Sequence, residues 1–204
     1  MRTLLLASVA AFALPAAAQA ADITFEDFET APYQFTLVGN ANVTNGYNYQ
    51  ACCGTTGSAA ALSNNFVAFG GGNLPSGVIF TSIPTIAGRS YTIAFDYGAL
   101  GASGSLDPLV LSINGQQVAS VMFERPADNN LDQTFARTSY SFVANGSATT
   151  FSFNSLGTTN VDAVLDNVSF SSGVPEPATW GLMILGFGAI GGAMRRRRTS
   201  LATA

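Results

Sequence analysis

The segment from Ala21 to about Gly173 is predicted to be all-β, an antiparallel β-sandwich or jelly roll, and three observations predict it. Apolar residues recur with a period of two, as in Tyr91-Thr92-Ile93-Ala94-Phe95-Asp96-Tyr97 and Thr150-Phe151-Ser152-Phe153. That is the spacing of a strand with one buried face. No stretch carries the three-and-four spacing that a helix buries. The apolar runs are short and separated by Gly, Asn and Ser, and two of the breaks are Asn-Gly, which suits the positive φ of two-residue hairpin turns. Many short strands so punctuated pack best as two antiparallel sheets, and about 150 residues suffice for one domain with a sizeable core.

The strands follow in order. Ile23 to Phe28 opens the domain, and Phe66 to Phe69 and Val78 to Ile83 are apolar runs bounded by turn residues. Tyr91 to Tyr97 is the clearest alternation. Leu109 to Ile113 joins Val118 to Phe123 through Asn114-Gly115, a type I′ hairpin. Thr138 to Val143 and the Thr150 to Phe153 run flank Asn145-Gly146, which predicts a second hairpin, and Val164 to Phe170 closes the domain.

The last of these, Val164-Leu165-Asp166-Asn167-Val168-Ser169-Phe170, together with Ile23-Thr24-Phe25-Glu26-Asp27-Phe28-Glu29, resembles the closing and opening strands of galactose-binding-like jelly rolls. The resemblance implies a carbohydrate-binding ancestry and an edge site for structural Ca²⁺. Glu26, Asp27, Glu29 and Asp166 would converge there if first and last strands pair, offering the hard oxygen ligands Ca²⁺ prefers. The alternative is that these carboxylates line a solvated edge, or that Asp166 and Asn167 cap a turn.

Composition removes several function classes. The 204-residue chain has no histidine and no lysine, so neither a Ser-His-Asp triad, a Cys-His dyad, a histidine-held metal nor a Schiff-base lysine can be built. Between Ala21 and Gly173 eleven acids face three arginines, Arg89, Arg125 and Arg137, a formal net charge of −8 that repels nucleic acid. A glycosidase-like site from two of Asp96, Asp107, Glu124, Asp128 and Asp132 is the one enzymatic alternative. The expectation is that the domain is not an enzyme and that these acids solubilise it, with Arg125 in a polar surface loop pairing with a neighbouring acid.

Two features bear on ligands and redox state. Tyr47-Asn48-Tyr49-Gln50 lies in a polar, Gly-punctuated loop where tyrosines can stack on pyranose faces while amides bond hydroxyls. Against this, the single tryptophan lies outside the domain, and tyrosines in a sandwich are mostly core. Cys52 and Cys53 are the only cysteines and are adjacent. In an oxidising compartment they close on each other in a vicinal disulfide, join another molecule, or stay free, and the vicinal ring is the expectation.

Both ends of the chain carry address information. Met1-Arg2, the apolar Leu4 to Leu14 and the small-x-small Ala18-Gln19-Ala20 form a signal peptide over residues 1–20, cut by signal peptidase before Ala21. At the other end, Pro175-Glu176-Pro177 keeps the backbone extended and accessible to a protease. From Ala178 to Met194 no residue is charged, and at about 1.5 Å per residue this gives about 25 Å of helix, just able to span a bilayer core of roughly 30 Å. Trp180 suits the outer interface, and the cluster Arg195, Arg196, Arg197 and Arg198 holds the short tail 199–204 in the cytoplasm.

Pro-Glu-Pro, two residues, Trp, an apolar stretch and an arginine cluster resemble the PEP-CTERM sorting signal of Gram-negative bacteria over residues 174–198, with Gly181 where the Trp-containing variant usually has alanine. The resemblance implies an exosortase as processing partner, a transient stage in the inner membrane, cleavage near Pro175-Glu176-Pro177, and delivery to the cell surface or extracellular matrix. The expected role is structural or adhesive within an exopolysaccharide or biofilm matrix. The alternatives are a carbohydrate-binding module for exopolysaccharide and, third, a glycosidase-like enzyme.

Overall fold

The computed structural model describes residues 24–70, 76–101, 107–157, 161–173, 181 and 183–192. Residues Ala21–Gly173 form one compact unit. Its strands are β1 (Thr24–Glu26), β2 (Thr36–Val38), β3 (Ala41–Asn45), β4 (Asn65–Phe69), β5 (Val78–Pro84), β6 (Ser90–Gly101), β7 (Leu109–Ile113), β8 (Gln116–Val121), β9 (Ala136–Val143), β10 (Ala148–Ser155) and β11 (Val161–Ser172). One sheet runs β3-β4-β11-β6-β9, and β1 pairs with the part of β11 beyond the end of β4. The other runs β2-β5-β10-β7-β8, and every pairing in both is antiparallel.

Alternation along the strands makes the core between the sheets. Val67, Phe69, Ile93, Phe95, Ala163 and Leu165 from the first sheet meet Ile79, Leu109, Leu111, Phe151 and Phe153 from the second. Phenylalanine is the commonest residue in it. Phe95 meets Phe153 edge-on at 4.9 Å between ring centroids, and Phe151 lies 4.4 Å from Phe170. Such contacts add to the stabilisation from area burial.

The outer face of the first sheet carries a second, smaller core. Phe66, Ala68, Leu100 and Val164 point away from the main core and are covered by helix α1 (Gly46–Cys53), helix α2 (Ala59–Ser63) and a 3-10 turn at Leu131–Gln133. Asn45 caps α1 by accepting from the Asn48 amide, and Ser58 caps α2 by accepting from the Ala61 amide. Gly46 allows the close approach: a Cβ there would stand 2.2 Å from Leu131 Cδ1.

The expected sandwich of two antiparallel sheets is present, and the two short helices added to it have a physical reason for being hidden in the sequence. In α1 the buried residues are Gly46 and Tyr49, so no apolar stripe betrays it. The strands expected from the alternation are present, whereas β2 and β3 were not foreseen because their residues are short, polar and broken by Gly39-Asn40.

The two Asn-Gly steps part company. Asn114 and Gly115 adopt φ of 51° and 79° and join β7 to β8 as a hairpin. Asn145-Gly146 does not make the expected hairpin: β9 pairs with β6 and β10 with β5 and β7, so the step crosses from one sheet to the other. Neither residue is among those with positive φ.

Outside the compact unit, residues 181 and 183–192 are helical with exposed apolar side chains such as Ile184, Leu185 and Phe187. Among the described residues no helix is long and apolar enough to cross a membrane. The expected span Ala178 to Met194 reaches beyond the described stretch at both ends. The signal peptide with Ala18 and Ala20, and Pro175, Glu176, Pro177, Trp180 and Arg195 to Arg198, lie outside the described residues.

The contrast between the two turns is measurable by chemical denaturation. Gly115→Ala places a Cβ in open space but at φ 79°, and is expected to cost about 1 kcal/mol. Gly146→Ala is expected to stay within about 0.5 kcal/mol of the parent.

Candidate functional site

The carboxylates named from the sequence are set by a single irregularity in β11. Ala163 and Leu165 face the main core, but so do Val168 and Phe170, so the facing changes phase between them. The register shifts between Asp166 and Ser169, where Asn167 takes a positive φ of 51°. Asp166 therefore lies opposite Asp96 on the outer face. Glu26 lies opposite Val168, on the core side.

That phase change answers the expected calcium site. First and last strands do pair, β1 on β11, but Glu26 and Asp166 face opposite sides of the sheet. Glu26 instead turns into its own loop, accepting from the amides of Phe28 and Gln34. Asp27 accepts from the Glu29 amide, and Glu29 accepts from the backbone and side-chain nitrogens of Asn65. Among the described residues no group of three or more His, Cys, Asp or Glu side chains is placed to hold a metal ion.

Asp166 is 2% exposed and sits in a polar network at the margin of the helical cap. It accepts from Asn64 Nδ2 at 2.8 Å and from the Asn167 amide at 2.7 Å. Asn167 Nδ2 also reaches Asp96, which pairs with Arg137 at 2.9 Å. Burial, reinforced by the charges of Asp96 and Glu29 against the opposing hydrogen bonds, pushes Asp166 up to about 7.

A second buried group lies under the same cap. Tyr49, on α1, donates its hydroxyl to Asp162 Oδ2 at 2.5 Å, across 113 positions of sequence. Burial, then the Asp162 charge and this bond, hold the Tyr49 hydroxyl well above its ordinary range. Asp162 itself is raised by burial and by the charge of Asp107, against the Tyr49 bond. Asp107 is also raised by burial, although Ser155 Oγ and the Ala163 amide donate to it.

The expected sugar-stacking loop is thereby corrected. Tyr47, Asn48 and Tyr49 are helical, Tyr47 is 47% exposed and Tyr49 only 8%. Asn48 is spent on Thr44 through Nδ2. The two tyrosines cannot stack together on one ligand, because one of them is a buried donor to Asp162.

At the end of the same helix Cys52 and Cys53 are joined in a vicinal disulfide, and Gly54 follows in the left-handed conformation. Asn129 Nδ2 bridges the Cys53 and Gly101 carbonyls. Arg125 donates to Asn129 Oδ1 and the Pro126 carbonyl, not to the neighbouring acid expected of it. Asn129, buried at 4% and itself at positive φ, is what holds that guanidinium.

The acids considered for glycoside chemistry have local duties. Asp132 accepts from Ser58 and so anchors the start of α2, and Asp128 accepts from the Asn130 amide. Asp96 carries Arg137 and Asp107 is buried under Ser155, while Glu124 is exposed.

Sequence reasoning missed a cleft of about 370 Å³ between the edge strands β8 and β9. Ile113, Val118, Phe142 and Val143 are apolar parts of its lining, and Asn114, Gln116 and Asn145 bring amides to it. Asn114 is clamped: its amide and Oδ1 exchange hydrogen bonds with Thr150, and Nδ2 reaches Asn145 Oδ1. Only the Asn-Gly signals at its rim are visible in the sequence, and they speak for turns alone.

The PEP-CTERM protein-sorting motif is matched at residues 173–198, and it implies export to the surface or extracellular space of a Gram-negative bacterium. No protein of curated function matches the sequence. Similar solved structures include a family 35 carbohydrate binding module from Clostridium thermocellum, 17% identical, covering 74% of this chain and 98% of that one with a TM-score of 0.45. The CBM22-1 xylan-binding domain from Paenibacillus barcinonensis Xyn10C is 15% identical, covering 74% and 94% with a TM-score of 0.49. TmCBM61, solved in complex with β-1,4-galactotriose, is 11% identical, covering 69% and 88% with a TM-score of 0.46.

Two measurements test this assignment of roles. A raised folded pKa means that between roughly pH 4 and 7 the native state keeps a proton the unfolded chain has released, so this stability is present below about pH 4 and lost as pH rises through about 7. Asp166→Asn is expected to flatten that decline in urea unfolding, leaving the part due to Asp107 and Asp162, whose carboxyls burial also raises. Tyr49→Phe, which strands a buried carboxylate, is expected to cost about 1 to 3 kcal/mol, whereas Tyr47→Ala stays within about 0.5 kcal/mol.

Proposed function

We propose that this chain is an exported β-sandwich, processed by an exosortase at Pro175-Glu176-Pro177 after a transient stage in the inner membrane, and deployed in a structural or adhesive role at the cell surface or in the exopolysaccharide matrix. The observation that carries the proposal is where the motif begins. β11 ends at Ser172, the Gly173 amide donates to the Ser90 carbonyl, and the sorting motif starts at residue 173. Every described strand of both sheets precedes it, so removing the segment beyond it takes none of those strands.

The same proposal treats the domain as non-catalytic. The chain contains no histidine or lysine to serve as base or nucleophile. Asp96, Asp107, Asp128 and Asp132 each hold a neighbouring group in place, which is what a scaffold requires of its carboxylates. A second reading, recognition of exopolysaccharide as a carbohydrate-binding module, is favoured by the neutral, amide-bearing cleft between β8 and β9.

Intact-mass analysis of the protein fractionated from its host tests the sorting step. Wild type is expected to end near residue 175 and to appear at the surface or in the medium. A variant with Pro175, Glu176 and Pro177 replaced by alanine is expected to keep its arginine tail and remain with the inner membrane. Full-length protein in the inner membrane for both forms would contradict the proposal.

A further inference from the structure

We propose that the cleft between β8 and β9 is a binding site for a neutral saccharide, with the side chains of Gln116 and Asn145 bonding its hydroxyls. The proposal rests on the carbohydrate-binding reading of this cleft and is independent of the sorting step, since an unprocessed chain presents the same cleft.

The chemistry of the lining selects the ligand. Its volume of about 370 Å³ lies within the range of small-molecule sites. No lining residue is ionisable, so nothing there compensates a charged ligand, and a charge brought in would be desolvated without a partner. Phe142 and Val143 present apolar surface, and Val143 is 64% exposed, which leaves carbon and methyl surface facing water. The C–H face of a pyranose ring can cover that surface while its edge hydroxyls remain in need of partners.

The amides supply those partners. Asn145 uses its Oδ1 to accept from Asn114, and its Nδ2 donates to nothing among the described residues. The Gln116 side chain has no hydrogen-bond partner among the described residues. Gln116 therefore offers both a donor and an acceptor and Asn145 a donor, a set that matches hydroxyl groups, which both give and take hydrogen bonds.

The surroundings are already rigid. Asn114 is held at both ends of its amide, by Thr150 and by Asn145. The Phe142 ring stacks on Tyr91 at 5.8 Å and meets Phe151 edge-on at 5.3 Å. The ring and the Asn114 turn are thus fixed before binding, and the ordering entropy still to be lost is mainly that of the exposed Gln116 side chain.

The test is native affinity electrophoresis of the full chain in a zwitterionic, sugar-free detergent, through gels cast with hydroxyethylcellulose, xylan or galactan, and with alginate as the polyanionic comparison. The expected result is retardation by at least one neutral polymer and none by alginate. Gln116→Ala, which breaks no hydrogen bond among the described residues, is expected to weaken it at an unchanged melting temperature, and combined with Asn145→Ala to weaken it by about tenfold or more while the lost bond to Asn114 lowers the melting temperature by no more than about 2 °C. A chain that runs freely in all three neutral gels, is retarded equally by alginate, or binds as well in the double variant overturns the proposal. So does a wild-type dimer in sedimentation that the double variant abolishes, since the cleft would then be occupied by a second copy.

Discussion

Strand β11 is the constraint on which the rest depends. It pairs with β6 along one side and with β4 and then β1 along the other, and it is buried on both faces from Val161 to Asp166. Ala163 and Leu165 supply one core while Val164 supplies the other. A strand buried on both faces has no solvated side on which to place polar residues, yet this one carries Asp162 and Asp166. Each must find a donor, because an unpaired buried carboxylate costs several kcal/mol or takes up a proton. Asp162 finds Tyr49 and Asp166 finds Asn64 and Asn167, which brings α1 and the residue after α2 onto the sheet. The helical layer is thus tied to β11 by polar bonds as well as by Leu62, Phe66 and Leu131.

What was legible in the sequence follows from range. Strands such as Tyr91 to Tyr97 and the hairpin at Asn114-Gly115 are written in neighbouring residues, because alternation and positive φ are local demands. Asn145-Gly146 carries the same letters without the same backbone, since the choice of sheet for β10 is made by its partners β5 and β7. Helix α1 was illegible because eight residues with one buried tyrosine leave no period to detect. The bulge at Asn167 had a faint signal in Asp-Asn inside an apolar run, and missing it put Glu26 and Asp166 on the same face when the sheet separates them.

The polar chemistry of the domain is accordingly spent on architecture. Asp132 starts α2, Asn129 ties Cys53 to the end of β6, and Arg137 braces Asp96 beside the bulge. Among the amides that architecture leaves unused, those of Gln116 and Asn145 Nδ2 lie at the β8 and β9 edges, beside apolar lining. A scaffold with its buried carboxylates committed and a neutral cleft at one edge is compatible with the export that the sorting motif matched at residues 173–198 implies.

Structural completeness of the sandwich before that motif is the central claim, and a melt tests it most directly. The full chain and a chain ending at Gly173 would be unfolded thermally in the same detergent buffer. Midpoints within about 2 °C of each other are predicted, because every described strand of the sandwich and the bond from the Gly173 amide to the Ser90 carbonyl lie within the shortened chain. A shortened chain that melts about 10 °C lower, or does not fold, would mean that the sorting segment is part of the fold and that its removal cannot release an intact domain.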